Sequence, residues 1–292
     1  MRTRFSILPA LIMALSWPQL AFAKEPLHLK PASKWVMRHQ DDSCRLVRLF
    51  GEDENKMMLV LTRFGPTARF RMTLAGEPVR IHSDKRPLKV QFGAHETEQR
   101  VPYALGEAGG LPALVAIKQV RIDGVAKATK ANRLSKSRYA AVEFLKVRVG
   151  QKRPVILETG SFKGPIGAMH ACVREMMADW GIDVERHKTR TERARPIGNV
   201  ENWIRDDDYP AGMLKQKQPA MINFRLSVSE KGKATACHIQ QTTRPQKFDD
   251  AVCNALIRRA SFTPALDADG KPMASYWRSQ VRFAMKQMRK IR

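Results

Sequence analysis

The chain has 292 residues, of which 43% are hydrophobic and 27% are charged. This length and apolar content suffice for one large or two small buried cores and exclude wholesale disorder. The 52 Lys and Arg residues outnumber the 28 Asp and Glu residues, and the resulting formal net charge of +24 excludes a protein that binds through an acidic surface.

The first 23 residues have the pattern of an export signal. Two arginines precede the apolar segment 5–20, and the small-x-small tripeptide Ala21-Phe22-Ala23 stands directly before Lys24. These features are typical of a secretory signal peptide. The alternative is an uncleaved anchor helix, which two prolines inside the apolar segment disfavour. We therefore predict a signal peptide over residues 1–23, with cleavage between Ala23 and Lys24.

Residues 24–183 are predicted to form a β-rich domain with one helix at its C-terminal end. Apolar runs and period-two alternation, bounded by Gly and Pro, indicate the strands. Pro165 favours the start and Gly181 the end of a helix that carries apolar residues at helical spacing. The strand candidates are 57–64, 69–74, 88–92, 114–122, 144–149 and 155–159.

Residues 184–200 (VERHKTRTERARPIGNV) are charged, lack apolar periodicity and contain Pro196 and Gly198. Such a composition is typical of a linker. As flexible coil, these residues would have a root-mean-square span of about 20–25 Å. We therefore predict that the two halves of the chain are neighbours joined by a basic linker.

Residues 201–292 are predicted to form a second, smaller domain. Apolar residues from Ile222 to Val228 alternate with polar ones in a first strand, and a turn at 230–233 leads into a second strand over 234–240. A helix follows at 248–260, with acidic residues in its first turn and arginines in its last. The final strand covers 276–285. The whole chain is thus predicted to be an α+β protein.

The four cysteines are expected to form two disulfides, since an even number in an exported protein favours bridges over a metal site. No CxxC spacing occurs, and we predict no metal site. Cys237 on its strand and Cys253 on its helix can both face the interior, which leaves Cys44 and Cys172 as the second pair. The alternative 44–237 and 172–253 bridges, which would connect the two domains, stay open at this point.

Four short motifs occur in the second half of the chain. They are Tyr209-Pro210, Glu230-Lys231-Gly232-Lys233, Phe262-Thr263-Pro264-Ala265 and Asp269-Gly270-Lys271-Pro272. Their order within the strand and helix pattern, over residues 203–286, resembles the TonB C-terminal domain family. The resemblance implies a non-catalytic periplasmic binding module that needs no cofactor and pairs its sheet edge with a strand of another protein.

In the family's energy transducer this domain follows an uncleaved membrane anchor and a long Pro-rich spacer, and the sequence here indicates neither. The resemblance therefore extends to the folded module and not to force transmission. The first half resembles the N-terminal region of exported proteobacterial proteins with such a C-terminal domain, through Lys34-Trp35, residues 41–44 and residues 158–161. That second resemblance implies no activity.

The TonB-like resemblance implies that a partner pairs with the last strand of the sheet. Arg278, Gln280 and Arg282 lie on the outward face of that strand, and Tyr276 at its start is a further partner-binding candidate. Their side chains would set specificity, while the backbone would supply affinity. The expected partner is an outer-membrane or periplasmic protein linked to transport.

The basic charge suggests a second kind of partner. Proteins with such an excess of positive charge usually bind nucleic acid. This sequence carries no nucleic-acid-binding motif, however, and an exported protein seldom meets nucleic acid. We therefore expect the partner to be an anionic envelope surface, such as lipid headgroups or glycan phosphates. The alternative is that the basic residues form a surface that is merely solvated. The sequence leaves the oligomeric state open.

One segment suggests catalysis. Glu158-Thr159-Gly160-Ser161 differs by one methylene from the Asp-Thr-Gly-Ser of aspartic peptidases, in which two carboxylates share a proton. The longer side chain would displace the carboxylate by more than about 1 Å, which such a pair does not tolerate. We therefore predict that the protein is not an enzyme, and the alternative is a hydrolase within residues 30–183.

Overall fold

The computed structural model describes residues 24–83, 85–125, 134–216, 219–242, 246–283 and 290–291. The predicted signal peptide, residues 1–23, lies outside these ranges. Within them the buried apolar residues form two clusters, one between Leu29 and Ile182 and the other between Ala194 and Phe283. Across the same ranges no helix combines the length and the apolar character needed to span a bilayer.

The first half of the chain consists mainly of strands. These are β1 (Leu27–Leu29), β2 (Val36–Gln40), β3 (Ser43–Phe50), β4 (Met57–Arg63), β5 (Arg69–Gly76), β6 (Leu88–Phe92), β7 (Gln99–Val101), β8 (Tyr103–Ala108), β9 (Leu111–Ala116), β10 (Val120–Arg121), β11 (Leu145–Val149) and β12 (Val155–Leu157). The helices are α1 (Lys136–Ala140) and α2 (Lys163–Asp179), and 3₁₀ turns cover Asp53–Asn55 and Glu77–Val79.

The strands of the first half form two sheets that share one core. One sheet has the order β1-β12-β11-β6-β7, and the other has the order β2-β3-β4-β5-β9-β8 with β10 paired to β5. Alternate residues are buried in both sheets, for example Leu59 and Leu61 in β4 and Leu145 and Val147 in β11, and they belong to the same apolar cluster. Helix α2 packs against β2 and β3.

Helix α2 buries the apolar residues that the sequence predicts at helical spacing from Ile166 to Met176, and it also buries Met177. After the helix, Gly181 adopts a positive φ of 75°. Its N–H bonds to the carbonyl of Ala178, and the N–H of Ile182 bonds to the carbonyl of Met177. This is a Schellman motif, which favours glycine at that position. The motif fixes the exit of the chain from the first half.

Residues 184–200, the segment predicted to be a linker, have ordered backbone structure rather than the conformation of a flexible coil. Helix α3 (Val184–Lys188) begins there, and strand β13 (Arg195–Pro196) pairs with residues of the second half. The backbone of Thr191 also bonds to the carbonyl of Leu266 at 3.0 Å. The prediction rested on missing apolar periodicity, whereas backbone hydrogen bonds and capping by Asp183 order this segment.

The second half has the predicted order of strand, strand, helix and strand, and the chain is an α+β protein. Its further elements are α4 (Ala211–Lys215), β14 (Ala220–Val228), β15 (Ala234–Thr242), α5 (Gln246–Arg259), β16 (Phe262–Thr263), β17 (Ala265–Leu266), β18 (Pro272–Met273), β19 (Ser275–Phe283) and β20 (Lys290–Ile291), with 3₁₀ turns at Val200–Trp203 and Asp206–Asp208. Residues 284 and 285 of the predicted last strand lie outside the described residues.

Two disulfides tie strands to helices. The structure joins Cys44 of β3 to Cys172 of α2 and Cys237 of β15 to Cys253 of α5, with Cα separations of 6.1 and 5.4 Å. This is the pairing that the sequence favours, and each bridge lies within one half of the chain. His39 lies beside the first bridge. Because a disulfide offers no thiolate ligand, these three residues do not form a metal site.

Removing either bridge is expected to lower the free energy of unfolding, because the unfolded chain gains entropy. The Cys237→Ala/Cys253→Ala variant should lose about 3 kcal/mol for a sequence separation of 16 residues. The Cys44→Ala/Cys172→Ala variant should lose about 4–5 kcal/mol for a separation of 128 residues. Urea denaturation followed by circular dichroism measures both losses, and an unchanged midpoint in either variant would contradict the prediction.

Candidate functional site

The sheet of the second half is the candidate partner-binding element. Alternate residues of β14 from Ile222 to Val228 are buried in the second apolar cluster. The hairpin that follows turns at Gly232, where φ is +71° and a Cβ atom would lie 1.9 Å from the carbonyl oxygen of Phe262. The Phe262 N–H donates to the Gly232 carbonyl at 2.8 Å. The turn therefore requires glycine and attaches the hairpin to the strand after α5.

The strand order in this sheet is β15-β14-β19-β20. Strand β19 pairs with β14 along its whole length, from Ser275 to Phe283. On its other side, β20 pairs only with Val281 and Arg282. Among the strands that the structure describes, none pairs with the outer edge of residues 275–278. This edge is the candidate for backbone pairing.

One face of the sheet is polar, and we call it the docking face. Register places Arg225 opposite both His238 and Arg278, and Ser227 opposite Tyr276. The opposite face carries the apolar residues of β14 and packs on α5. The docking face consists of Arg225, His238, Gln240, Tyr276 and Arg278, and it contacts the first half of the chain.

A buried ion pair lies at the centre of the docking face. Arg225 is 2% exposed, and its Nε donates to Oδ1 of Asp42, in the turn between β2 and β3, at 2.6 Å. The Arg225 guanidinium also lies 4.1 Å from the ring centroid of Trp180. Burial lowers the pKa of Arg225, and Asp42 opposes that shift. Because a buried guanidinium needs a carboxylate, this contact fixes how the two halves meet.

Aromatic rings surround the ion pair. Tyr276 lies between Trp180 and His187, with ring centroids 5.2 and 5.5 Å away. The indole N–H of Trp180 donates to the carbonyl of Asp41 at 2.9 Å.

Burial lowers the pKa of His187 to about 4, and the charges of Arg190 and Arg193 add to the shift. His187 is therefore neutral at pH 7, and Arg190 donates to its Nδ1 at 3.1 Å.

The outward orientation predicted for Arg278 is wrong, and Tyr276, the neighbouring partner-binding candidate, is also covered by the chain itself. Arg278 donates to the carbonyl of Phe64, and Tyr276 packs on the residues that join the two halves. Gln280 is half-buried and Arg282 is exposed, and these two remain candidates for contact with a partner. Alternation in the sequence marks a polar face, but it carries no signal that another part of the same chain covers that face.

The segment that suggests catalysis has a structural role. Glu158 lies beyond the end of β12, with its carboxylate 3.3 Å from Nδ1 of His28. Among the contacts that the structure describes for Glu158, none is a second carboxylate. The next carbonyl, of Thr159, accepts hydrogen bonds from Arg48 at 2.6 Å and from the indole of Trp35 at 3.4 Å. Among its described contacts, Glu158 thus lacks the second carboxylate that the aspartic peptidase pattern requires.

Residues 206–285 match the family described as Gram-negative bacterial TonB protein C-terminal. No curated protein and no solved structure matches the chain. The match covers β14, β15, α5 and the strands from β16 to β19. Residues 206–285 thus form a domain of this family, as the sequence motifs indicate.

The Asp42→Ala variant is expected to unfold more easily. It leaves the Arg225 guanidinium buried without its carboxylate, which should cost about 3 kcal/mol in the free energy of unfolding. The matched control is Asp41→Ala, since Asp41 is exposed and contributes its backbone carbonyl to Trp180. This control should lose less than about 0.5 kcal/mol. Urea denaturation of the two variants decides, and equal losses would refute a special role for Asp42.

Acid should destabilise the fold through His187, which is only 4% exposed. In the unfolded chain this histidine binds a proton below about pH 6.5, whereas the folded state binds it only near pH 4. Neutral His187 therefore contributes fully to the free energy of unfolding above the pKa of the unfolded chain. As the pH falls towards the pKa of the folded state, up to about 3 kcal/mol of that free energy is lost. His187→Gln should flatten the pH profile of urea denaturation in this range, whereas exposed His82→Gln should not; identical profiles would contradict the assignment.

Proposed function

We propose that the chain is a non-catalytic periplasmic binding protein whose C-terminal domain pairs with a strand of an outer-membrane or periplasmic protein. The observation that carries the proposal is the outer edge of residues 275–278, which no described strand covers, in a domain that matches the TonB C-terminal family. Strand addition draws affinity from backbone hydrogen bonds at such an edge. It therefore does not require the side chains that the docking face already uses.

The pairing of β20 restricts where a partner strand can add. Because β20 pairs with Val281 and Arg282, a partner strand would pair with residues 275–278 in line with β20. Arg282 is exposed beside this position and would contact the end of the partner strand. Export through the predicted signal peptide would bring the domain to the compartment where such partners occur. The net charge of +24 supports an anionic envelope surface as an additional partner.

The proposal predicts partner capture at one edge of the sheet. A photoreactive amino acid at position 282 should crosslink to an envelope protein in intact cells, and the Gln280→Pro change should abolish that crosslink by disrupting backbone pairing. A photoreactive residue at Thr235, which is exposed on β15 at the opposite side of the sheet, is the matched control and should not crosslink to the same protein.

Circular dichroism and the unfolding midpoint of the Gln280→Pro protein establish that it is folded. If the folded variant crosslinks from position 282 as well as its parent does, strand addition at this edge is refuted. Capture of the same protein from both positions would likewise show that binding does not depend on the edge of β19.

A further inference from the structure

A cleft with a volume of ≈ 1520 Å³ lies between the two halves of the chain. Its walls come from α2, from residues 184–196, from the ends of β4 and β5, and from β19. Four consecutive residues of β19, Ser275 to Arg278, line it. Because the side chains of consecutive strand residues alternate between the two faces, these four residues have the outer edge in common. The cleft therefore lies against the edge at which a partner strand would pair.

The lining of the cleft is strongly basic. Among the described residues, nine Lys and Arg side chains line it, and Glu192 is the one acidic side chain. Glu192 pairs with Arg195, and Asp123 pairs with Arg121. Arg174 and Arg193 are exposed, and neither forms an ion pair in the part of the chain that the structure describes. Among the described residues, the cleft thus holds positive charges that have no carboxylate partner.

One buried side chain adds hydrogen-bond donors without acceptors. Arg63 lines the cleft, is 1% exposed, and has no hydrogen-bond partner for Nε or Nη2 among the described residues. Its guanidinium lies 4.2 Å from the ring centroid of Phe70. Burial lowers the pKa of Arg63 to about 10, and Tyr139 opposes the shift. Buried polar groups are normally hydrogen-bonded, so these two donors mark a place for an anionic acceptor.

We infer, on the basis of the proposed function, that the strand which pairs with β19 is acidic and carries carboxylate side chains at every second position. Alternate side chains of an added strand lie on the same side of the sheet as Tyr276 and Arg278, which is the side of the first half. Arg63 and Arg174 line the cleft from that half. Carboxylates on this side would meet these cations, so the backbone supplies affinity and the cleft selects for charge.

Binding of synthetic peptides to the full chain tests this inference by isothermal titration calorimetry. The probes are an eight-residue peptide that alternates Glu with Thr, the same peptide with Gln in place of Glu, and inorganic tripolyphosphate. The acidic peptide should bind at least about tenfold more tightly than the Gln peptide. The Arg174→Gln/Arg193→Gln variant should remove that preference, whereas Arg45→Gln/Arg100→Gln, at exposed arginines outside the cleft, should retain it.

Arg63→Met keeps the apolar stem against Phe70 and should also weaken binding of the acidic peptide; its folding is checked by its unfolding midpoint. Equal affinity for the acidic and the Gln peptide would overturn the inference and leave the proposed strand addition standing. Binding of tripolyphosphate without binding of the acidic peptide would overturn it in favour of a phosphate site. Loss of the crosslink in Gln280→Pro with no charge preference in the peptides would likewise support the proposed function alone.

Discussion

The way in which the two halves of this chain meet depends on one buried arginine. Arg225 lies on a central strand of the C-terminal sheet, and 2% of it is exposed. A guanidinium in that position is tolerated only with a carboxylate partner, and Asp42 of the first half supplies it at 2.6 Å. The ring of Trp180 covers the same group. The two halves therefore meet in one orientation, because polar groups that lose water must find specific partners.

Docking through a polar face leaves the C-terminal sheet with few free surfaces. One face packs on α5 and much of the other on the first half, so in the part of the chain that the structure describes another protein reaches this sheet mainly at its edges. Backbone pairing is the interaction that such an edge offers. Each disulfide lies within one half of the chain. The contact between the halves therefore depends on the ion pair, the aromatic rings around Tyr276 and the ordered segment 184–200.

The sequence predicts those elements whose cause is local or periodic. Alternation predicts β14, helix-end chemistry predicts α5, and strand phase favours the Cys237–Cys253 bridge. It does not predict that Arg225 and Tyr276 are covered, since a polar face docked on polar groups has the same pattern as one in water. It also misses the order of residues 184–200, because hydrogen bonds to distant strands leave no periodicity in that segment. The sequence also does not predict that Arg63 is buried, since burial of a cation depends on tertiary contacts.

The basic cleft belongs to neither half alone. Arg63 and Arg174 come from the first half, Arg193 from the joining segment, and Ser275 to Arg278 from the C-terminal domain. The C-terminal domain by itself would keep its sheet edge but lose most of the cations that face it. A strand edge pairs with many sequences, because backbone groups are common to all of them. Selectivity must therefore come from side chains beside the edge, and the contact between the two halves places the basic residues of the cleft at that position.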